Sequence, residues 1–245
     1  MESRFALTFD LDWVPDFVLE DLYNLILEHR VKATLMVTNA SPWLDRFREH
    51  PELFELGIHP NFLKGSSHGD TEEAVLDYVL KLVPEAVSSR SHAVVQSGPI
   101  LNRLTHATPI EVDSTVFLPE QPGIQPFQHR SPSASLVRIP FFWADDYEMC
   151  KPQPLWSLQR YQEVVGWKVM LFHPIHTYLN SSSMEQYTQM KQHLPSLQEA
   201  LPDQVEAYRS SEPGARNMLL EVIKALQQQA GGVHLKEFIR NTSYA

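Results

Sequence analysis

Short apolar runs alternate with amphipathic helical patterns along almost the whole chain, and this alternation limits the possible folds more than any other feature. Residues 5–9, 33–37 and 55–59 have the length and residue types of strands. Between the first two, residues 16–29 place Val18, Leu22, Leu25 and Ile26 on one helical face, and Pro15 marks the start. A short helix is expected around residues 43–50, and a longer one over 71–83 from the spacing of Val75, Tyr78, Val79 and Leu82. A fourth strand is expected within 86–95, and short ones at 110–114 and 136–140. Residues 167–172 are apolar enough for a strand buried on both faces. Helices are expected at 184–193 and 214–229, the second stopped by Gly231 and Gly232, with a short terminal element over 234–241. Strands alternating with helices give a mainly parallel α/β sheet, and roughly seven such units could close into a barrel. Residues 115–135, dense in Pro and Gln, read as a long connection on the active face rather than a domain boundary. One domain over 1–245 is therefore expected.

Charge narrows the partners. Thirty acidic residues against 20 basic ones give a formal net charge of −10, which repels a phosphate backbone and argues against nucleic acid. The single cysteine, Cys150, excludes an intramolecular disulfide and any cysteine-based zinc motif, in keeping with a reducing compartment. The opening residues have no apolar signal core, and no run of about 18 apolar residues predicts a membrane span. A cytoplasmic location is the resulting expectation.

Polar residues gather where the predicted strands end, the end at which parallel α/β folds collect ligands and catalysis. Asp10 and Asp12 share one side of an extended segment by their period of two. They could divide metal binding and base chemistry, or serve as turn and helix-capping residues. His59 closes the third strand before Pro60, and His68 follows nine residues on, so both could reach one ion only if the loop folds back. Arg90 and His92 again share a side, and an arginine beside a carboxylate keeps it ionised and oriented. Asp113 ends a short strand and could hold a histidine in one tautomer or cap the strand. His173 ends the most apolar strand, where an imidazole must be neutral or partnered, and His176 lies beyond Pro174 in the expected loop. Trp143, Asp145 and Asp146 sit in an aromatic and acidic cluster that would suit a sugar-binding wall or a packed strand and its turn.

The phrases Thr-Phe-Asp-Leu-Asp-Trp from Thr8, Gly-Ile-His-Pro-Asn-Phe-Leu-Lys-Gly-Ser-Ser-His-Gly from Gly57 and Phe-His-Pro-Ile-His from Phe172, in this order, resemble the NodB-like polysaccharide deacetylases of carbohydrate esterase family four. They look like a divergent branch that includes WbmS-like proteins of O-antigen gene clusters. The resemblance implies a distorted (β/α)7 barrel and a divalent metal, Zn²⁺ first, with Co²⁺, Ni²⁺ or Fe²⁺ as alternatives. It implies Asp10 as catalytic base, Arg90 holding Asp10, His173 as catalytic acid and Asp113 steering His173. Asp12 and His59 would hold the metal. The family's second metal histidine normally follows four residues after the first, where Leu63 stands here, so His68 is the expected substitute and Asn61 the second candidate. His92, Trp143, Asp146 and His176 are assigned to the substrate. The implied reaction removes an acetyl group from an N-acetylated sugar or polysaccharide intermediate of lipopolysaccharide biosynthesis. The same barrel could instead hydrolyse small amides or ureides, or survive as a carbohydrate-binding protein without catalysis.

Overall fold

The computed structural model describes residues 3–194 and 196–239. Strands β1 (Ser3–Asp10), β2 (Ala33–Val37) and β3 (Phe54–Ile58) alternate with helices α1 (Asp16–His29), α2 (Trp43–Arg48) and α3 (Glu72–Leu82). Strand β4 (Ser88–Ser89), helix α4 (Gly98–Ala107) and strand β5 (Val112–Asp113) follow, and then the hairpin of β6 (Phe127–Arg130) and β7 (Ser135–Arg138). The chain continues through β8 (Trp143–Ala144), α5 (Asp145–Met149), β9 (Gly166–Phe172), α6 (Pro174–Leu179), α7 (Met184–His193), α8 (Pro202–Glu206) and α9 (Ala215–Gln228).

Parallel pairing runs β5-β4-β3-β2-β1-β9. One extended stretch closes the ring. Its first half, β7, pairs with β5 and continues as Ile139 N–H to Asp113 O (3.0 Å) and Phe141 N–H to Val116 O (2.9 Å). Its second half crosses to the other edge, with Phe142 N–H on Val169 O (2.8 Å) and β8 paired to β9. Residues 135–144 thus act as one stave of a seven-stave barrel, with β1, β2, β3, β4, β5 and β9 as the others. Near the start of β9, Gly123 and Ile124 fill the gap that this crossing leaves. A Cβ on Gly166 (φ +94°) would meet Ile124 N at 2.8 Å, so only glycine allows that approach.

Sequence patterning explains most elements. Both faces of β2, β3 and β9, and of β1 from Phe5 on, are buried, so they read as largely apolar runs, with Glu55 and Lys168 as buried charged exceptions. Thr71 caps α3 by accepting from Ala74 N–H, and Ser97 caps α4 by accepting from Ile100 N–H. Helices α1, α6 and α9 pack together over β1. The expected fourth strand shrinks to Ser88–Ser89, because Arg90 to Val94 leave the sheet for the barrel mouth. Helix α4 escapes the apolar pattern because only Ile100 and Leu104 are buried on it. The terminal element is a short turn at Leu235–Ile239; residues 240 and 241 of the expected span lie outside the described residues. Among the described residues, no helix is long and apolar enough to cross a membrane.

Candidate active site

Every stave runs the same way, so the strand C-termini open on one end of the barrel, above a cavity of about 430 Å³. Asp10, Asp12, His59, His92 and His173 all line it. Asp12 and Trp13 adopt left-handed backbone at φ 38° and 53°, strained for residues with a Cβ. Hydrogen bonds from Leu11 N–H to Met36 O (3.1 Å) and from Asp12 N–H to Thr38 Oγ1 (3.1 Å) hold this turn against β2.

Asp10 is buried and meets the fully buried guanidinium of Arg90, whose Nη1 donates to Asp10 Oδ1 at 2.9 Å. Arg90 also donates to Ser114 O, Ser114 Oγ and Thr8 Oγ1 at 3.0–3.1 Å and lies over the Phe141 ring. These contacts leave the arginine no freedom and fix one oxygen of Asp10.

Beside it stands a group suited to a cation. Asp12 Oδ1 lies 3.2 Å from His59 Nε2 and 3.0 Å from His92 Nδ1, and the two ring nitrogens are 3.3 Å apart. His59 Nδ1 sits 2.6 Å from Arg90 O, and a carbonyl can only accept, so the proton is on Nδ1. Nε2, the other nitrogen, points at Asp12. A protein carbonyl behind an imidazole is how metal-binding histidines are oriented. One carboxylate and two imidazoles, with ligand atoms within 4.8 Å of one another, form a donor set that fits a divalent cation. Burial alone would raise the Asp12 carboxyl, but its hydrogen bonds to His59 and His92 and the charges of His59 and His173 hold it well below the usual range.

Adjoining this group is His173, the residue before α6, with Nε2 3.6 Å from Asp12 Oδ2. Buried Asp145 grips it twice: Oδ2 accepts the His173 backbone N–H and Oδ1 lies on Nδ1, both at 2.7 Å. Burial alone would depress this imidazole, but the charge and hydrogen bond of Asp145 push it well above its ordinary value. The proton on Nδ1 is thereby fixed, and Nε2 faces the cavity.

Several expected placements differ. Asp113 does not touch His173: its Oδ1 accepts from Thr115 Oγ1 (2.5 Å) and its Oδ2 from Arg138 Nε (2.8 Å). Thr115 in turn accepts from Ser91 N–H (3.1 Å), so Asp113 braces the turn that carries Arg90 and His92. His68 is buried away from the Asp12 group, and its Nδ1 accepts from Asn61 N–H at 3.1 Å. The loop folds back, as the spacing requires, yet the space beside Asp12 and His59 is taken by His92. Asn61 spends its side-chain oxygen on Leu63 N–H (3.0 Å). Trp143 is fully buried and donates to Glu148 Oε2 (3.0 Å), so it is core rather than sugar wall. The aromatic wall is built by Phe117, stacked on Phe141 at 4.4 Å, with Tyr147 edge-on to Phe117, and Asp146 lies at its rim. His176 is on α6, not in a loop, and is buried against His173 and Tyr187, outside the cavity lining.

This geometry can be set beside known proteins. The WbmS-like polysaccharide deacetylase profile matches residues 7–191. The chain belongs to that family. Among solved structures, the WbmS-like chain is similar to a proposed polysaccharide deacetylase involved in O-antigen biosynthesis, WbmS from Bordetella bronchiseptica. They share 33% identity over 91% of this chain and 90% of that one, with a TM-score of 0.78. It also resembles 4-alpha-glucanotransferase from Thermococcus litoralis, at 12% identity and a TM-score of 0.58 over 99% of this chain and 39% of that one, a likeness of fold alone. No curated protein sequence matches this WbmS-like deacetylase. The seven-stave ring is the distorted (β/α)7 barrel of NodB-type deacetylases.

Proposed function

We propose that this deacetylase hydrolyses the acetamido group of an N-acetylated sugar unit during surface-polysaccharide assembly, with O-antigen as the leading candidate, and that it does so with a divalent cation. The observation that carries the reading is that one cavity is lined by two differently equipped groups. Asp10 is a carboxylate with one oxygen committed to Arg90, and His173 is an imidazole kept protonated by Asp145.

Asp12, His59 and His92 would hold the cation, most suitably Zn²⁺, with Co²⁺, Ni²⁺ or Fe²⁺ also compatible with two nitrogens and one oxygen. When bound, it supplies Lewis acidity to the acetyl carbonyl and to the attacking water. Asp10 Oδ2, the oxygen that Arg90 Nη1 does not hold, accepts the proton of that water. The new C–O bond forms as the water's oxygen adds to the carbonyl carbon. His173 Nε2 delivers its proton to the sugar nitrogen as the C–N bond breaks, leaving acetate and a free amine. Asp145 holds His173 with Nε2 toward the cavity throughout. Phe117, Phe141 and Tyr147 offer the apolar surface on which a sugar ring can lie, and Asp146 can accept from its hydroxyls.

The test is acetate release from N-acetylated oligosaccharides by cation-loaded protein. Asp10→Asn and His173→Ala are each expected to lower kcat by about 10²–10⁴-fold. Full activity in either variant, or no acetate from the wild type on any N-acetylated sugar, contradicts the proposal.

A further inference from the structure

His59 and His92 approach Asp12 under different constraints. The His59 ring is locked from behind by Arg90 O at 2.6 Å. His92 has no such lock: its Nδ1 meets Asp12 and His59, and its Nε2 makes no hydrogen bond to any described residue. A ligand imidazole without a partner on its second nitrogen needs something else to fix its orientation. The backbone itself is held, with His92 N–H on Pro60 O at 3.0 Å and Val95 N–H on His92 O at 3.3 Å, so what remains to be set is the rotation of the ring.

Two rings bear on His92: the His59 imidazole, edge-on at 5.3 Å, and, through a separate contact, Trp13. The indole meets it edge to face, with ring centres 5.3 Å apart and planes at 84°. Trp13 comes directly after Asp12 on the strained turn, so one short segment supplies both a carboxylate to the cation-capable group and an aromatic contact to one of its imidazoles. The indole also meets His68 (5.7 Å), and His68 is stacked on Tyr78 of α3 (4.7 Å, 19°) while its Nδ1 is tied to Asn61 N–H. Tyr78, His68, Trp13 and His92 thus form a series of ring contacts from α3 to the group. Helix α3 is anchored in the core by Val75, Leu76 and Val79.

We propose that Trp13, braced by His68, is a positioning residue that sets the His92 ring so that Nδ1 completes the donor set with Asp12 and His59. This rests on the reading of those three residues as a cation site. In this role His68 contributes a packed ring and no donor to the ion.

The experiment measures Co²⁺ affinity by chelator competition, with the visible spectrum of bound Co²⁺ recorded alongside, on the full chain. Trp13→Ala is expected to weaken binding by about 10–100-fold, the usual cost of losing support behind a ligand. Trp13→Phe, which keeps an aromatic edge, and His68→Phe, which keeps a stacked ring without nitrogens, are each expected to stay within about threefold of wild type by the same reasoning. The core variant Trp143→Phe is expected to lower stability with no change in affinity. Wild-type affinity in Trp13→Ala overturns the proposal, as does loss of binding in His68→Phe as complete as in His59→Ala, which would make His68 a ligand. If Trp13→Ala does not fold, Trp13→Leu replaces it, and equal affinity of the Leu and Phe variants overturns the proposal. A wild type that takes up no Co²⁺ removes the cation reading and this inference with it, whereas a loaded but insensitive Trp13→Ala removes only the inference.

Discussion

Asp145 holds His173 by both carboxylate oxygens, one on the backbone N–H and one on Nδ1, each at 2.7 Å. The double contact fixes the position of the residue and the tautomer of its ring together. It also makes the imidazole and its proton part of one buried ion pair, with consequences for pH.

Asp145→Asn removes the charge that raises His173. The alkaline limb of kcat/KM is expected to move to lower pH, and kcat to fall by about 10²–10⁴-fold. The stability sign follows from the same shift. His173 is held well above its ordinary value of about 6.5, so its contribution is complete below that pH. It is lost as pH rises through the folded-state value. Unfolding free energy should therefore fall above about pH 6.5 in the wild type, and more weakly in Asp145→Asn. Asp113→Asn, which disturbs the Arg138 pair, is expected to leave the alkaline limb where it is. Rate profiles and denaturant titrations of the two variants distinguish these outcomes.

Arg90→Ala leaves Asp10 buried beside a vacated guanidinium site. Breaking a buried ion pair from one side typically costs about 3–5 kcal/mol. Arg90 additionally links β4 to β1 and to the end of β5 through Thr8 and Ser114. Equilibrium unfolding is expected to show a loss of at least that order, and Arg90→Lys, which cannot reproduce the fork, should recover only part of it.

Trp143→Phe tests the boundary between core and sugar wall. Its indole N–H donates to buried Glu148, and losing the donor should cost about 1–3 kcal/mol of stability. KM for an oligosaccharide is expected to stay unchanged. By contrast, Tyr147→Ala, which removes part of the cavity wall, is expected to raise KM.

The sequence makes legible those residues that local rules place. Asp10, His59 and His173 stand at or just past the ends of apolar strands, and parallel order alone brings them to one rim. His92 is harder to read, because two left-handed residues follow it and no side-chain pattern announces that turn. The choice between Asp113 and Asp145 depends on where the stave over residues 135–144 crosses from β5 to β9. That crossing is set by long-range pairing rather than by propensity. The same crossing decides that Phe141 lines the cavity while Trp143, two positions on, is packed away from it. His68 follows a loop that does return to the site, and spacing alone could not show that its place at Asp12 is already filled.

An anomalous-difference map, collected at the absorption edge of the bound metal on crystals grown with Zn²⁺, tests the cation assignment most directly. One peak is expected at about 2.0–2.2 Å from Asp12, His59 Nε2 and His92 Nδ1, with His68 outside bonding distance. Density at His68 in place of His92, or no peak at Asp12 in metal-replete crystals, would contradict the account.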